Sequence, residues 1–198
     1  MANALNSMSS VEDILESLPA EETQHMLRVG MLVSHFTRKL QSCGLINNCV
    51  IQCNDFGSAA SYHDIGKAWI PHGILTKPVS LTEREMLIIR NHPMYAERLF
   101  DEIKRGLVSG MPKHLLQLAA DSAMYHHEWW NGNGYPYGMA QNEIPLIAKI
   151  TSICDAYDAM TSNRIYRKSH THTHARRELK RNAGTQFDPD LVSAFLAI

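Results

Sequence analysis

Thiols, net charge and long apolar runs are all scarce in this chain, and each scarcity removes a class of function. Only four cysteines occur in 198 residues. Cys43, Cys49, Cys53 and Cys154 form no CxxC pair, so reduced thiols are expected rather than a disulfide framework or a thiolate zinc knuckle. Lysine and arginine total 19 against 20 aspartates and glutamates, a net charge of −1, so no basic surface argues for duplex nucleic acid as a partner. No apolar run approaches membrane-spanning length, and no membrane association is expected. The first twenty residues carry Glu12, Asp13 and Glu16 and lack the apolar core of a secretory signal, which points to the cytoplasm. No stretch alternates convincingly with period two, although Cys49–Gln52 is too short to judge. There is no GxSxG-type nucleophile elbow, no internal repeat and no low-complexity tail.

What the chain does have is helical periodicity. Glu21, His25, Val29, Leu32, Val33, Phe36 and Leu40 recur every three or four residues, one face of a helix, with Glu21 and His25 one turn apart and projecting together. Phe56, Ala59, Ala60 and His63 make a second stripe, which Gly66 is expected to end. Thr82-x-x-Glu85 is a capping box before the Met86–Ile89 run, and His92-Pro93 marks a break. Pro112 and Pro145 suit the first turns of two more helices. Leu115, Leu118, Ala119, Ser122 and His126 share a face of one; Ile147, Thr151, Cys154, Asp155 and Asp158 share a face of the other. Asp188-Pro189 reads as the cap and first turn of a short last helix holding Val192 and Phe195. The expected fold is all-α, a single compact helical domain with short C-terminal helices.

The chain also has eleven histidines. Two of them, His126 and His127, are adjacent; they close an apolar run and lead into a glycine-rich aromatic loop, Glu128 to Pro136. Neighbouring imidazoles cannot both face a core, and a metal ion is the commonest partner for the one that does not. Glu21, His25, His63, Asp64, His92 and Asp155 also sit at helix ends or on apolar stripes. Any one of them alone reads as a hydrogen-bonded core residue or a cap. Burying all eight without a cation costs several kcal/mol each, and two or three divalent ions convert that cost into binding. Carboxylates mixed with imidazoles favour iron or manganese. Such a set describes a hydrolytic centre that lowers the pKa of water and neutralises phosphoryl oxygens.

His63-Asp64 within HDIGK, with His25 upstream and His92 and Asp155 downstream, resembles the HD phosphohydrolase superfamily. The block HHE-x-x-N-G-x-GYP, the run from Asp155 to Arg167 (DAYDAMTS-x-R-x-YR) and Ala183–Pro189 (AGTQFDP) narrow the resemblance to the HD-GYP family of cyclic di-GMP phosphodiesterases. It extends from about residue 21 to the C-terminus, so residues 21–198 are expected to form the catalytic domain and residues 1–20 a helical lead-in. The resemblance implies metal ligation by His25, His63, Asp64, His92, His126, His127 and Asp155, with Glu21 at the position that serves a third ion. It assigns Asp64 and Lys67 to catalysis, Lys67 facing the phosphate. It places Gly134, Tyr135, Pro136, Asp158, Arg164 and Arg167 at the substrate, with Asp158 alternatively ordering a ligand. The implied reaction opens cyclic di-GMP to linear pGpG and onward to GMP. Implied partners are a diguanylate cyclase or an adaptor protein, reached through the GYP loop.

Some positions depart from the family pattern. Asn131 replaces a common aspartate but still suits a turn. Ile165 replaces a proline, which loosens the grip expected of Arg164 and Arg167. His72 stands where aspartate is common and receives no role. Arg105–Met111 reads as an insertion forming a surface loop near the site. The His170-x-His172-x-His174 tract reads as a solvated loop leading into a helix over 175–180. Of Trp129 and Trp130, which offer base-stacking faces, one is expected to pack the loop on the domain. Two alternatives stay open: the same chemistry on another cyclic dinucleotide such as cyclic GMP-AMP, or a non-catalytic module that binds nucleotide or a partner. Loss of ligands would mark the second, and here every ligand position is filled.

Overall fold

The computed structural model describes residues 9–46, 53–162 and 169–197, and among these every regular element is a helix. Helix α1 (Val11–Glu16) opens with a capping box between Ser10 and Asp13 and buries Val11 and Ile14. The long α2 (Ala20–Ser42) buries His25, Val29, Val33, Phe36 and Leu40 along one side, so the stripe read from the sequence is its inner face. Helix α3 (Cys53–Ala60) lies against α2. The approach is backbone-close: a Cβ on Gly57 would stand 2.7 Å from the Gly30 carbonyl oxygen.

A turn after α3 carries His63 and Asp64 into a short 3₁₀ helix, Ile65–Trp69. The small helices α4 (His72–Leu75) and α5 (Glu83–Ile89) follow. Thr82 and Glu85 form the expected capping box, yet α5 buries none of its residues. Helix α6 (His92–Lys104) begins at His92, with Pro93 in its first turn, where the missing N–H costs nothing. Helices α7 (Leu116–Tyr125) and α8 (Leu146–Thr161) complete the bundle: α7 packs on α3, α6 and α8, and α8 packs on α2. The C-terminal α9 (His172–Arg181) and α10 (Pro189–Leu196) close one end, and Phe195 meets Phe36 edge to face at 5.1 Å.

Several boundaries differ from the sequence reading. Gly66 does not end a helix: α3 stops at Ala60, and Gly66 lies inside the 3₁₀ segment against α6. A Cβ there would sit 2.0 Å from the His92 carbonyl oxygen, so only glycine lets the HDIGK turn dock on the next ligand's helix. Pro112 precedes its helix by a turn, and Pro145 is the N-cap of α8 rather than its first residue. The 105–111 segment is tied to the N-terminus: Val11 N–H donates to the Ser109 carbonyl at 2.8 Å, and Val108 is buried. The histidine tract is not a free loop, because Thr171 caps the backbone N–H of His174 and α9 starts at His172. Cys49–Gln52, Arg164, Ile165 and Arg167 lie outside the described residues. Among the described residues no helix is long and apolar enough to cross a membrane.

Candidate metal centre

Six of the eight residues read as ligands converge around the carboxylate of Asp64, itself buried at the end of the His63-Asp64 turn. Its two oxygens face different histidines. Oδ1 lies 3.2 Å from His92 Nε2 and 3.8 Å from His126 Nε2. Oδ2 lies 3.3 Å from His63 Nε2 and 3.7 Å from His25 Nε2. The donors therefore fall into two groups that share Asp64: one with His92, His126 and His127, the other with His25 and His63. Asp155 joins the second side, its Oδ1 3.0 Å from His25 Nε2, and forms a third group with His63 and His126. Glu21, the remaining candidate, is in none of these groups.

Hydrogen bonds fix how four of the imidazoles point. His63 Nδ1 donates to the Ala60 carbonyl (2.9 Å), His92 Nδ1 to Ile89 (2.8 Å) and His126 Nδ1 to Ser122 (2.9 Å). A carbonyl only accepts, so each Nδ1 carries the proton and each Nε2 offers a lone pair to the centre. His25 Nδ1 meets Asp158 Oδ2 at 2.7 Å. Asp158 is in turn gripped by Arg28 through Nε (2.8 Å) and Nη2 (2.9 Å). Expected at the substrate or ordering a ligand, Asp158 is buried behind the candidate ligand His25 and bonded to it, the second of these placements.

The residues fit a divalent cation. His63 Nε2 is buried without a hydrogen-bond partner, aimed at Asp64 and Asp155. Such an atom loses its hydration for no return unless a cation takes its lone pair. Burial pushes the His126 imidazole down to about 3, with the His63 imidazole adding to the effect, and burial also lowers His92 and His127. All three are neutral at physiological pH, the state a metal requires. Asp64 is held well below the carboxylate range: burial opposes its charge, but Lys67, His63 and His92 outweigh it. His25 goes the other way. Burial lowers it, yet Asp155 and Asp158 raise it to about 9.

Lys67 Nζ bridges Asp64 Oδ2 (2.7 Å) and Glu22 Oε2 (2.8 Å). Burial disfavours its charge, but those two carboxylates raise its pKa well above the lysine range, so it is a fixed cation beside the ligand cluster. The partner is Glu22, which the sequence pattern does not distinguish, rather than its neighbour Glu21.

The GYP loop closes over one side. Tyr135 stacks on His127 at 4.6 Å and 18°. Glu128, buried and given no role by the sequence reading, accepts the backbone N–H groups of Tyr137 (2.7 Å) and Met139 (3.0 Å). Gly134 serves the same folding-back: a Cβ there would meet the Trp129 nitrogen at 2.3 Å. Asn131 Oδ1 accepts from Asn133 N–H at 3.0 Å, the turn an aspartate would also make. Trp130 is the tryptophan that anchors the loop, with Lys149 Nζ 5.1 Å over its ring and its backbone N–H donating to the Gln186 carbonyl. At the far end, His172 is drawn to the Tyr157 hydroxyl (2.8 Å) and His170 and His174 pair with each other, so the tract stands apart from the ligand groups.

Comparisons with known proteins agree with this geometry. A family model described as "HD domain" matches residues 9–191. A cyclic di-GMP phosphodiesterase of Thermotoga maritima is 34% identical over 98% of this chain and 47% of its own length. A 3′3′-cGAMP-specific phosphodiesterase of Vibrio cholerae is 36% identical over 94% of this chain and 33% of its own. The chain thus spans less than half of these relatives. Among solved structures, Bd1817, an HDG"Y"P protein from Bdellovibrio bacteriovorus, shares the fold with a TM-score of 0.64 at 16% identity, over 89% of this chain and 51% of that one. The histidine–aspartate cluster and the matched sequence lead to one conclusion: this chain belongs to the HD domain family and, through its HHE-x-x-N-G-x-GYP loop, to the HD-GYP type.

Proposed function

We propose that this domain is a metal-dependent phosphodiesterase that hydrolyses cyclic di-GMP to linear pGpG and then to GMP, acting in the cytoplasm. The observation that carries the reading is the divided Asp64 carboxylate, one oxygen toward each histidine group, with a fixed lysine cation at 2.7 Å. Two ions, iron or manganese, suit the imidazole and carboxylate donors; they supply the Lewis acidity that activates water and offsets phosphoryl charge. His25, His63, Asp64, His92, His126, His127 and Asp155 would hold them, and Glu21, outside these groups, would serve a third. Lys67 adds positive charge where negative charge grows on the phosphoryl oxygens. Glu22 keeps Lys67 in place when Asp64 is engaged elsewhere. Tyr135 walls the nucleotide on the His127 side, Gly134 and Pro136 shape that wall, and Arg164 and Arg167 clamp the far part of the substrate. A diguanylate cyclase or adaptor protein docks on the same loop.

A second reading is supported by the Vibrio cholerae relative: the same cut made in 3′3′-cGAMP. One experiment addresses both. Anaerobically purified protein is analysed for metal, then assayed on cyclic di-GMP and 3′3′-cGAMP with product identification. At least two equivalents of metal and faster turnover of cyclic di-GMP are expected. Metal-bearing protein that cleaves neither nucleotide would reject the enzymatic reading, and preference for 3′3′-cGAMP would transfer it to the second.

A further inference from the structure

We propose that Arg90 is a specificity-determining residue that reads a guanine base of the substrate; the inference rests on the proposed cyclic-dinucleotide activity. Arg90 lies between α5 and α6, and its backbone is pinned by N–H bonds to the Met86 and Ile88 carbonyls. The preceding residue, Ile89, supplies the carbonyl that orients the ligand His92. The turn that aims a ligand therefore also places Arg90.

The guanidinium carbon of Arg90 stands 4.4 Å from the centroid of the Tyr135 ring. The ring of His127 stacks on Tyr135 at 4.6 Å. Two groups at such distances cannot share one face of a ring, so Arg90 occupies the face away from the metal centre. Ligand, tyrosine and arginine form one layered stack from the buried cluster to the surface, where Arg90 is exposed. Among the described residues no carboxylate pairs with it and no carbonyl takes its N–H groups. An arginine so placed is a cation with a free planar fork, held against an aromatic beside the site.

The chemistry it suits follows from the fork. Guanine presents two parallel acceptors, O6 and N7, on one edge, which arginine pairs with bidentately. Adenine replaces O6 with an amino donor, which a guanidinium cannot satisfy. A phosphate would also take the fork, but the reacting phosphate already has Lys67 and the metal cluster. Arg90 lies a full aromatic layer beyond them, where the base of a nucleotide bound by its phosphate extends.

The test uses metal-loaded protein. Equilibrium binding of cyclic di-GMP and cyclic di-AMP is measured for the wild type, Arg90→Ala and Arg90→Met, the methionine keeping an apolar cover on Tyr135. Metal content and melting temperature report on the fold. Both variants should keep wild-type metal content. Both should weaken cyclic di-GMP roughly ten- to a hundredfold while changing cyclic di-AMP by less than about twofold, so that the preference between the two collapses. Equal weakening of both nucleotides would overturn base reading in favour of a phosphate contact. Unchanged cyclic di-GMP binding would overturn it in favour of a purely covering role for Arg90. Wild-type protein that binds neither nucleotide would remove the functional reading itself, and this proposal with it.

Discussion

Replacing Asp158 with asparagine tests whether a buried residue that is not in the ligand groups sets the affinity of the centre. The substitution keeps shape and removes charge. One Asp158 oxygen accepts His25 Nδ1 at 2.7 Å and Arg28 Nη2 at 2.9 Å; the other accepts Arg28 Nε at 2.8 Å and the Ser162 hydroxyl at 3.0 Å. Asparagine has one acceptor oxygen. If that oxygen faces His25, the amide N–H groups face Arg28 Nε, donor against donor. If it faces Arg28 Nε, His25 Nδ1 loses its acceptor and the imidazole is free to turn. Losing one hydrogen bond to a charged acceptor costs about 1.5–3 kcal/mol. Residues that orient a metal-ligating histidine change metal affinity by about 10–100-fold, or roughly 1.4–2.8 kcal/mol. The two routes agree, so metal Kd should rise within that range in a chelator-competition titration. The number of ions at saturation should stay the same, because every group that touches them remains. Arg28→Ala leaves the His25–Asp158 bond in place and should raise Kd by less than about fivefold. Folded Asp158→Asn protein with wild-type affinity would refute the orienting role. Equal losses in Asp158→Asn and Arg28→Ala would show that general destabilisation, not the aim of His25, is responsible.

Metal-stripped protein should be most stable near pH 6.5, about the pKa of an unfolded histidine. The His25 contribution, from a folded pKa of about 9, is complete below that point and is lost as pH rises to about 9. The contributions of His126, down at about 3, and of the lowered His92 and His127 are complete above it and are lost as pH falls. Melts in chelator from roughly pH 5 to 9 should trace a dome whose alkaline limb flattens in His25→Ala; an unchanged limb there would discard the assignment. Lys67→Ala should lower kcat by about 10²-fold or more with metal content intact, as expected for a charge that acts in the transition state; a rise in KM alone would make it a binding residue. Gly134→Ala should cost about 1–3 kcal/mol of stability, since the added carbon meets backbone 2.3 and 2.5 Å away, and an unshifted melting temperature would contradict that packing.

Much of this architecture is legible in the sequence because helices betray themselves by period. The α2 stripe, the Thr82–Glu85 box and the Asp188 cap all stand where their residue types put them. The convergence of candidate ligands is legible for a related reason: several imidazoles and carboxylates on apolar stripes together must face a common interior. What periodicity cannot supply is the partner of each group. Asp155 and Asp158 are one turn apart on α8, yet one faces the cluster and the other backs His25, a choice set by where α2 docks. Glu22 rather than Glu21 meets Lys67, because adjacent helical residues point about 100° apart. Gly66 resembled a helix terminator by type, but its use is a contact with a carbonyl 26 positions on, which no local pattern reveals. The His170–His174 alternation suggested a loop; the cap residue Thr171, which favours a helix start, was the stronger signal.

The Nδ1 bonds divide the centre by the order in which it can be built. His63, His92 and His126 are aimed by carbonyls three or four residues earlier in the chain, so each is set when its own turn of backbone forms. His25 is aimed by a residue 133 positions later, so it stays unaimed until α8 has folded onto α2. A chain growing from the N-terminus presents His25 first and orients it last. By the time His127 has emerged, the His92 side of Asp64 has all its donors, whereas the His25 side still waits for Asp158. An ion captured early would therefore meet a complete set of donors only on the His92 side, the His25 side needing Asp158 from the C-terminal third. Full occupancy would thus report that α8 has docked on α2 and brought Asp158 behind His25.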